Sequence, residues 1–189
     1  MTLSLSSIKV QVILQATLSG VVNSGAASPD SASITQGLNF TPPTKLTSGV
    51  GANQADRLWV SEARALASGA SESLDLFDLG SVNIGAGAGL DGLGQALNNT
   101  KIVTLCVVVD PSSAGKIILG GEGSGAAWNT LLNGSDTATI CPIPGGGCFL
   151  IHVPDAAGMV VTDVTNYLLK VAASGGNCVY SIGFLSRDA

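Results

Sequence analysis

Charge is what this chain has least of. Only 11% of its 189 residues are Asp, Glu, Lys or Arg, against about 25% in an ordinary domain. Its 8 basic residues stand alone along the chain, and 13 acidic ones leave a net charge of −5. A nucleic-acid groove needs clustered Lys and Arg to displace counterions, so no nucleic acid is expected as a partner. Aromatic residues make up 4%, too few for a stacked sugar-binding platform. No apolar run reaches the roughly 18 residues of a spanning helix, so no membrane is expected either. The N-terminus does not read as a secretion signal. Lys9 is its only early cation, and Lys9, Gln11 and Gln15 interrupt the apolar region. The chain is therefore expected to be made in a cytosol, where its 4 cysteines are no disulfide framework.

What the chain does have is apolar content. Hydrophobic residues are 46% of it, so it can bury a core and is not disordered. Its length suits one domain, or one domain with an arm. With so few charges, much of the exterior must be Ser, Thr, Asn, Gly and Ala. Such a surface suits burial against partner subunits.

The apolar residues recur by twos. Ile8, Val10, Val12, Leu14, Ala16 and Leu18 alternate with Lys9, Gln11, Gln15, Thr17 and Ser19, with Ile13 the exception; this predicts a long strand. Residues 20–55 are rich in Ser, Gly, Thr, Asn and Pro, and read either as loop with short strands or as an arm that orders on a partner. From Ala55 the texture changes. ADRLWVSEARALASGASESLDLFDLG reads as two strands around a turn at Ser68-Gly69, with Leu58, Val60 and Leu66 alternating with more polar neighbours. KIVTLCVVVD, GKIILGG, DTATICPI, CFLIHV, MVVTDV, YLLKVAAS and NCVYSIGFL read as further strands. Turn signals separate them by roughly 8–15 residues, the pattern of a sandwich or barrel. Helix is confined to a turn or two near Leu90–Leu97 and Trp128–Leu132. The expected fold is all-β: an antiparallel β-sandwich, jelly-roll-like, over residues 56–189, with an extended N-terminal strand and arm over 1–55.

Chemistry is harder to find. The one histidine, His152, lies in FLIHVPD with Asp155 close by, but no nucleophile elbow leads from a strand into a helix. It reads as a strand histidine. Cys141, Cys148, His152 and Asp155 include zinc-ligand types, but a C-x6-C-x3-H spacing is not a zinc knuckle. On a strand, Cys148 and His152 would stand about 13 Å apart. Neither GAGAG nor PGGGC is a phosphate cradle, for each lacks the Lys and the following helix. CPIPGGGCF reads as a turn ending one strand and starting the next, its prolines fixing φ and its glycines allowing positive φ. A disulfide between Cys141 and Cys148 is sterically conceivable across it. Cys106 and Cys178 read as small buried hydrophobes, and Trp59 and Trp128 as core or strand-face residues. Glu62 with Glu72, and Asp75 with Asp78, are the only carboxylate groupings and read as solvated. No catalytic, cofactor-binding or metal residue is therefore expected.

Two stretches do resemble a known group. GVGANQADRLWVSEARALASGASESLDL is similar to the front half of a family of small tailed-bacteriophage proteins, in which an AD-hydrophobic-W strand precedes a Ser/Thr-rich hairpin and an LDL strand. PIPGGGCFLIHVPDAAGMVVTDVTNYLLKVAASGGNCVYSIGFLS resembles the family's ending. Pro142, Pro144, Gly145 and Gly146 supply its turn. Leu168, Leu169, Lys170 and Val171 supply its late strand, and Gly175, Gly176, Val179, Tyr180, Ile182 and Gly183 its close. Ala157-Gly158-Met159 stands where the family has a Gly-Trp pair. The likeness spans most of residues 49–185 and rests on turn and core positions. It implies a virion structural protein of capsid cement or decoration type. Such a protein would bind the major capsid protein and itself, as a homotrimer, and carry no cofactor. A tail or fibre-base protein is the alternative within the virion. A carbohydrate-binding or hydrolytic module is the alternative outside it.

Overall fold

The computed structural model describes residues 12–22 and 30–40 as backbone, and 46–79, 89–91, 96–121, 123, 125–132, 134–135, 137–140 and 142–188 in full. The described elements are all strands apart from one short 3-10 turn. In chain order they are β1 (Val12–Val22), β2 (Asp30–Phe40), β3 (Thr47–Ser48), β4 (Gln54–Ala55), β5 (Arg57–Leu66), β6 (Ser71–Asp75), β7 (Asn99–Val109), β8 (Lys116–Gly121), the turn Thr130–Leu132, β9 (Ile143–Pro144), β10 (Cys148–His152), β11 (Met159–Val160), β12 (Leu168–Ser174) and β13 (Cys178–Asp188). The chain divides into two compact units, one holding Leu46–Ala189 and the other Ser7–Lys45. Residues 46–55, grouped by sequence with the arm, thus fall with the strands that follow them.

The larger unit is built on two antiparallel sheets, with β3 and β4 forming a short parallel pair. One runs β10-β7-β13-β5, with β11 also on β7; the other runs β6-β12-β8-β9. Their inner faces share one core. Trp59, Leu105, Val107, Tyr180, Ile182 and Phe184 come from the first sheet, and Leu74, Ile117, Leu119, Leu169 and Val171 from the second. Trp59 and Phe184 stack at 5.2 Å between ring centroids. Trp128 is fully buried, and its indole N–H donates to the Val160 carbonyl at 2.8 Å. Burial of these side chains is the main favourable term, about 1.5–3 kcal/mol for each large one.

Three stretches depart from the local reading, and the turn before β10 keeps to it. The turn at Ser68-Gly69 does not close a hairpin: β5 pairs with β13 and β6 with β12, so the chain crosses there from one sheet to the other. Among the described residues of DTATICPI, Thr139 makes a bridge and Ile143 begins the two-residue β9, with no longer strand between them. CPIPGGGCF is a turn, and again one that crosses sheets, from β9 to β10. Gly146 has φ +78°, and a side chain at Gly145 would stand 2.8 Å from the Ser113 carbonyl, so both positions need glycine. Residues 20–55, read as loop or arm, contain the 11-residue strand β2. The helical turn expected at Trp128–Leu132 is present as Thr130–Leu132; of the one near Leu90–Leu97, residues 92–95 lie outside the described residues, and Leu90 and Ala96 form an antiparallel bridge.

Two bulges reset which side chains face the core. In β5, Glu62 and Ala63 together oppose Ser181, and Ala63 takes φ +51°. The alternation of Leu58, Val60 and Leu66 therefore does not sort onto one face. Leu58 and Val60 point outward and are exposed, while Leu66 beyond the bulge is buried. In β7, Val103 is the extra residue between the pairs Leu185↔Thr104 and Ser186↔Ile102, so Ile102 before it and Leu105 after it both reach the core.

Candidate functional site

Three polar clusters and one open face are the candidate sites. The first cluster bridges the edge strands of the two sheets. Arg64 on β5 grips Glu72 on β6 with two parallel hydrogen bonds, Nε to Oε1 at 3.0 Å and Nη2 to Oε2. The Tyr180 hydroxyl, reaching out of the core from β13, donates to the same Glu72 Oε1. Arg64 also donates to Ser61 Oγ at 3.1 Å. Burial would raise the Glu72 carboxyl, but the hydrogen bonds from Arg64 and Tyr180 outweigh it and hold the group below its ordinary range. Burial and the Glu72 charge push the Tyr180 hydroxyl well above its own. This corrects the reading of Glu72 as a solvated carboxylate. Every partner is protein, and the fork geometry is that of a structural ion pair.

The second cluster surrounds Arg187, which is fully buried on the outer side of β13. Its guanidinium donates to the carbonyls of Gln54 (2.8 Å), Pro154 (2.9 Å), Asp155 (2.7 Å) and Ala156 (3.5 Å). Asn53 N–H also donates to the Pro154 carbonyl at 2.7 Å. Arg187 thereby fastens two loops, 49–56 and 153–158, over the end of the sheet. Burial lowers its pKa, against the charges of Asp155 and Asp56. Asp155 accepts Gly158 N–H at 2.7 Å, a turn-forming role rather than a catalytic one. Asp75 is likewise buried, its Oδ1 accepting the Phe77 and Asp78 N–H groups, so it too is not a solvated strand-face acid. A buried Asn99 completes the polar interior, joining Leu76 carbonyl and Ser186 hydroxyl.

The third cluster holds the histidine. His152 ends β10 opposite Thr104, and its Nδ1 is 2.8 Å from Thr104 Oγ1. Its Nε2 is buried without a hydrogen-bond partner, and burial holds its pKa below the ordinary value. A neutral imidazole against a threonine on a strand has no carboxylate to orient it, and Asp155 is engaged with Gly158. Among the described residues no three His, Cys, Asp or Glu side chains converge on a metal position. Cys148 is an exposed free thiol and Cys178 a buried one. Cys106 is only part-buried on the outer side of β7, not a core residue, and burial raises its pKa. Cys141, and with it the Cys141–Cys148 disulfide, lies outside the described residues.

What remains is the outer face of the β10-β7-β13-β5 sheet. The register places Val60 beside Gly183, Gly183 beside Cys106 and Cys106 beside Leu150 in one row; Ser181, Val108 and Cys148 form the next. Val60 (54% exposed), Val108 (46%) and Leu58 (41%) are among the most open large apolar residues described. A side chain at Gly183 would come within 3.1 Å of Val60 Cγ2, so glycine here lets Val60 lie flat across the sheet. The first row carries no charged residue, and the second meets one only at the β5 bulge, where Glu62 lies opposite Ser181. Sequence reading missed this face because Leu58 and Val60 look like core residues; only the Ala63 bulge sends them outward. A contiguous apolar surface of this kind is suited to a protein partner rather than to water.

The chain matches no protein-family model and has no significant similarity to any curated protein. Among the described residues no helix is long and apolar enough to cross a membrane.

Proposed function

We propose that this protein is a virion structural component of a tailed phage, a cement or decoration protein that binds the outside of the head and stabilises joints between major capsid subunits. The observation that carries this reading is the open apolar patch of Leu58, Val60 and Val108 on the outer face of the five-stranded sheet. An open apolar face on a chain with so little charge is best accounted for by burial against another protein. The strand order supports a jelly-roll assignment: apart from the steps β8 to β9 and β10 to β11, each strand from β5 on is followed by one in the other sheet, giving β5-β13-β7-β10 on one and β6-β12-β8-β9 on the other. Viral capsid domains use that architecture, as do lectins and cupins, so the order alone does not select among them. The likeness of residues 49–185 to small phage structural proteins favours the first. The polar clusters favour no enzyme, since each carboxylate described above already serves the fold.

The mechanism is burial of neutral surface between capsomers. Specific interfaces bury about 1,200–2,000 Å², and many copies on one shell add by multivalency. The partners are the major capsid protein and the chain itself, as a trimer, with the N-terminal arm making contacts between subunits. Quantitative mass spectrometry of purified particles tests this. A copy number comparable to that of the major capsid protein is expected. A handful of copies would move the protein to the tail or a fibre base, and its absence from particles would overturn the reading.

A further inference from the structure

Strand pairing brings together two free thiols that lie far apart in the sequence. β10 runs antiparallel to β7, with Cys148 opposite Val108 and Leu150 opposite Cys106. Leu105, Val107 and Val109 fill the core, so Cys106 and Val108 face outward, and their opposite residues share that face. Cys106 and Cys148 are therefore diagonal neighbours on the open side of the sheet. Val109 and Val153 donate to the Gly147 and Val103 carbonyls, which makes Cys148↔Val108 and Leu150↔Cys106 the non-hydrogen-bonded pairs, where side chains stand closest. Right-handed twist closes one diagonal of such a ladder and opens the other. Cys148 lies on the closing side of Cys106 and His152 on the opening side. The nearness of Cys148 is felt at Cys106, whose pKa is raised first by burial and then by Cys148. Diagonal Cα atoms are about 7–8 Å apart, beyond the roughly 4.4–6.8 Å that a disulfide spans. The two thiols thus do not close on each other, and both are free. A single ion between them does fit, because metal–sulfur bonds of about 2.3 Å hold two sulfurs about 4.6 Å apart.

We propose that Cys106 and Cys148 hold one soft monovalent cation, copper(I) by chemical class, in a two-coordinate bridge between β7 and β10. Thiolates select soft ions. Among the described residues no third His, Cys, Asp or Glu joins the pair. That disfavours zinc, whose structural sites take four ligands, and suits a monovalent d10 ion that is satisfied by two ligands in line. Val108 and Leu150, directly opposite the two cysteines, flank the sulfurs with apolar surface and offer no oxygen ligand to a harder ion. Binding exchanges two S–H bonds for two S–Cu bonds and releases two protons. The bridge then carries one negative charge, and no electron is transferred. Spacing along the sequence pointed instead to Cys141, Cys148, His152 and Asp155, because only the register of β7 and β10 joins Cys106 to Cys148. The inference goes beyond the assembly reading above and does not rest on it.

The test titrates free full-length protein, reduced and kept anaerobic, with copper(I) in competition with the chromophoric chelator bicinchoninate. One ion per chain is expected. Cys148→Ser, at an exposed position, and Cys106→Ser should each weaken binding at least about a hundredfold, because a second thiolate on the same scaffold acts at high effective concentration. Cys141→Ser should leave binding unchanged. Should Cys106→Ser fail to fold, alkylation of the other chains decides. One equivalent of copper(I) should protect Cys148 from iodoacetamide, read by mass spectrometry, in the wild type and equally in Cys141→Ser. Failure of the wild type to take copper from the chelator, undiminished binding by Cys148→Ser, alkylation of Cys148 indifferent to copper, or loss of the site in Cys141→Ser would each overturn the inference.

Discussion

Arg64 and Arg187 are both drawn into the fold, and they are neutralised in different ways. Arg187 is fully buried and meets only backbone carbonyls, from residues 54 and 154–156. Arg64 keeps some solvent contact and meets a carboxylate, Glu72, which a tyrosine also holds. β13 supports both sites, with Tyr180 near one end and Arg187 near the other. The carbonyl cage ties loops that are distant in sequence and contains no group that titrates near neutrality. The carboxylate site joins the rims of the two sheets and carries two titratable partners. One clamp should therefore depend on donor geometry, the other on protonation.

The largest effect is expected at the cage. Arg187→Met removes the guanidinium donors to the carbonyls of Gln54 and Asp155, while Ala156 keeps the Lys101 ammonium at 2.9 Å. Unsatisfied buried groups cost about 1–3 kcal/mol each, so a loss of about 3 kcal/mol or more is expected in urea unfolding. Arg187→Lys keeps the charge but not the planar fork, and should recover less than half of that. A Met variant within about 1 kcal/mol of wild type, the scale of one ordinary hydrogen bond, would mean that water replaces the guanidinium and the cage is not a clamp.

Glu72→Gln should cost less, about 1–2 kcal/mol, because the pair is partly solvated and only its burial makes the orphaned Arg64 expensive. The double variant Arg64→Met with Glu72→Leu should cost less than the sum of the single changes, since the three groups act as one unit. Strict additivity, measured by the same unfolding curves, would show that Arg64 and Glu72 contribute separately and would break the contrast with Arg187.

Neither clamp was legible in the sequence. β7, β8, β10, β12 and β13 announce themselves, because each is a run of apolar and β-branched residues bounded by turns. Strand partners do not. Ser68-Gly69 looks like a hairpin turn, yet it passes the chain between sheets, and pairing of β5 with β13 depends on residues more than a hundred positions away. Arg187 stands in SRDA at the end of the chain, with nothing nearby to suggest that four carbonyls await it. Glu72 and Asp75 look like surface acids because burial of a carboxylate depends on partners such as Arg64 or on backbone N–H groups, and spacing does not encode those. β2 is hidden by its own Ser, Gly and Asn content; its alternate Ala32, Ile34, Leu38 and Phe40 were the available signal. The outer face is the clearest case. One extra residue at the Ala63 bulge decides whether Leu58 and Val60 belong to the core or to the open face.

The smallest effects, and the sharpest test of the contrast, lie in pH. Glu72 is held below its ordinary value of 4.5, so the unfolded chain takes up that proton first as pH falls. Its contribution is present above about 4.5 and is lost as pH drops through the folded value. Tyr180 is pushed above its ordinary value of 10.0, so its contribution is full below about 10 and is lost as pH rises beyond it. His152, held below 6.5 by burial, adds a milder loss as pH falls below about 6.5, because only the unfolded chain then gains the charge. Unfolding free energy followed from pH 4 to pH 10.5 should thus fall at both ends in the wild type. Glu72→Gln should flatten the acid limb below pH 5 and Tyr180→Phe the alkaline one, while His152→Gln should change only the span near pH 6. Arg187→Met should lower the whole curve without changing its shape, because neither the carbonyl acceptors nor the thioether titrates. If instead the Met variant steepened either limb, the cage would contain a hidden titrating partner, and the two arginines would be alike in kind.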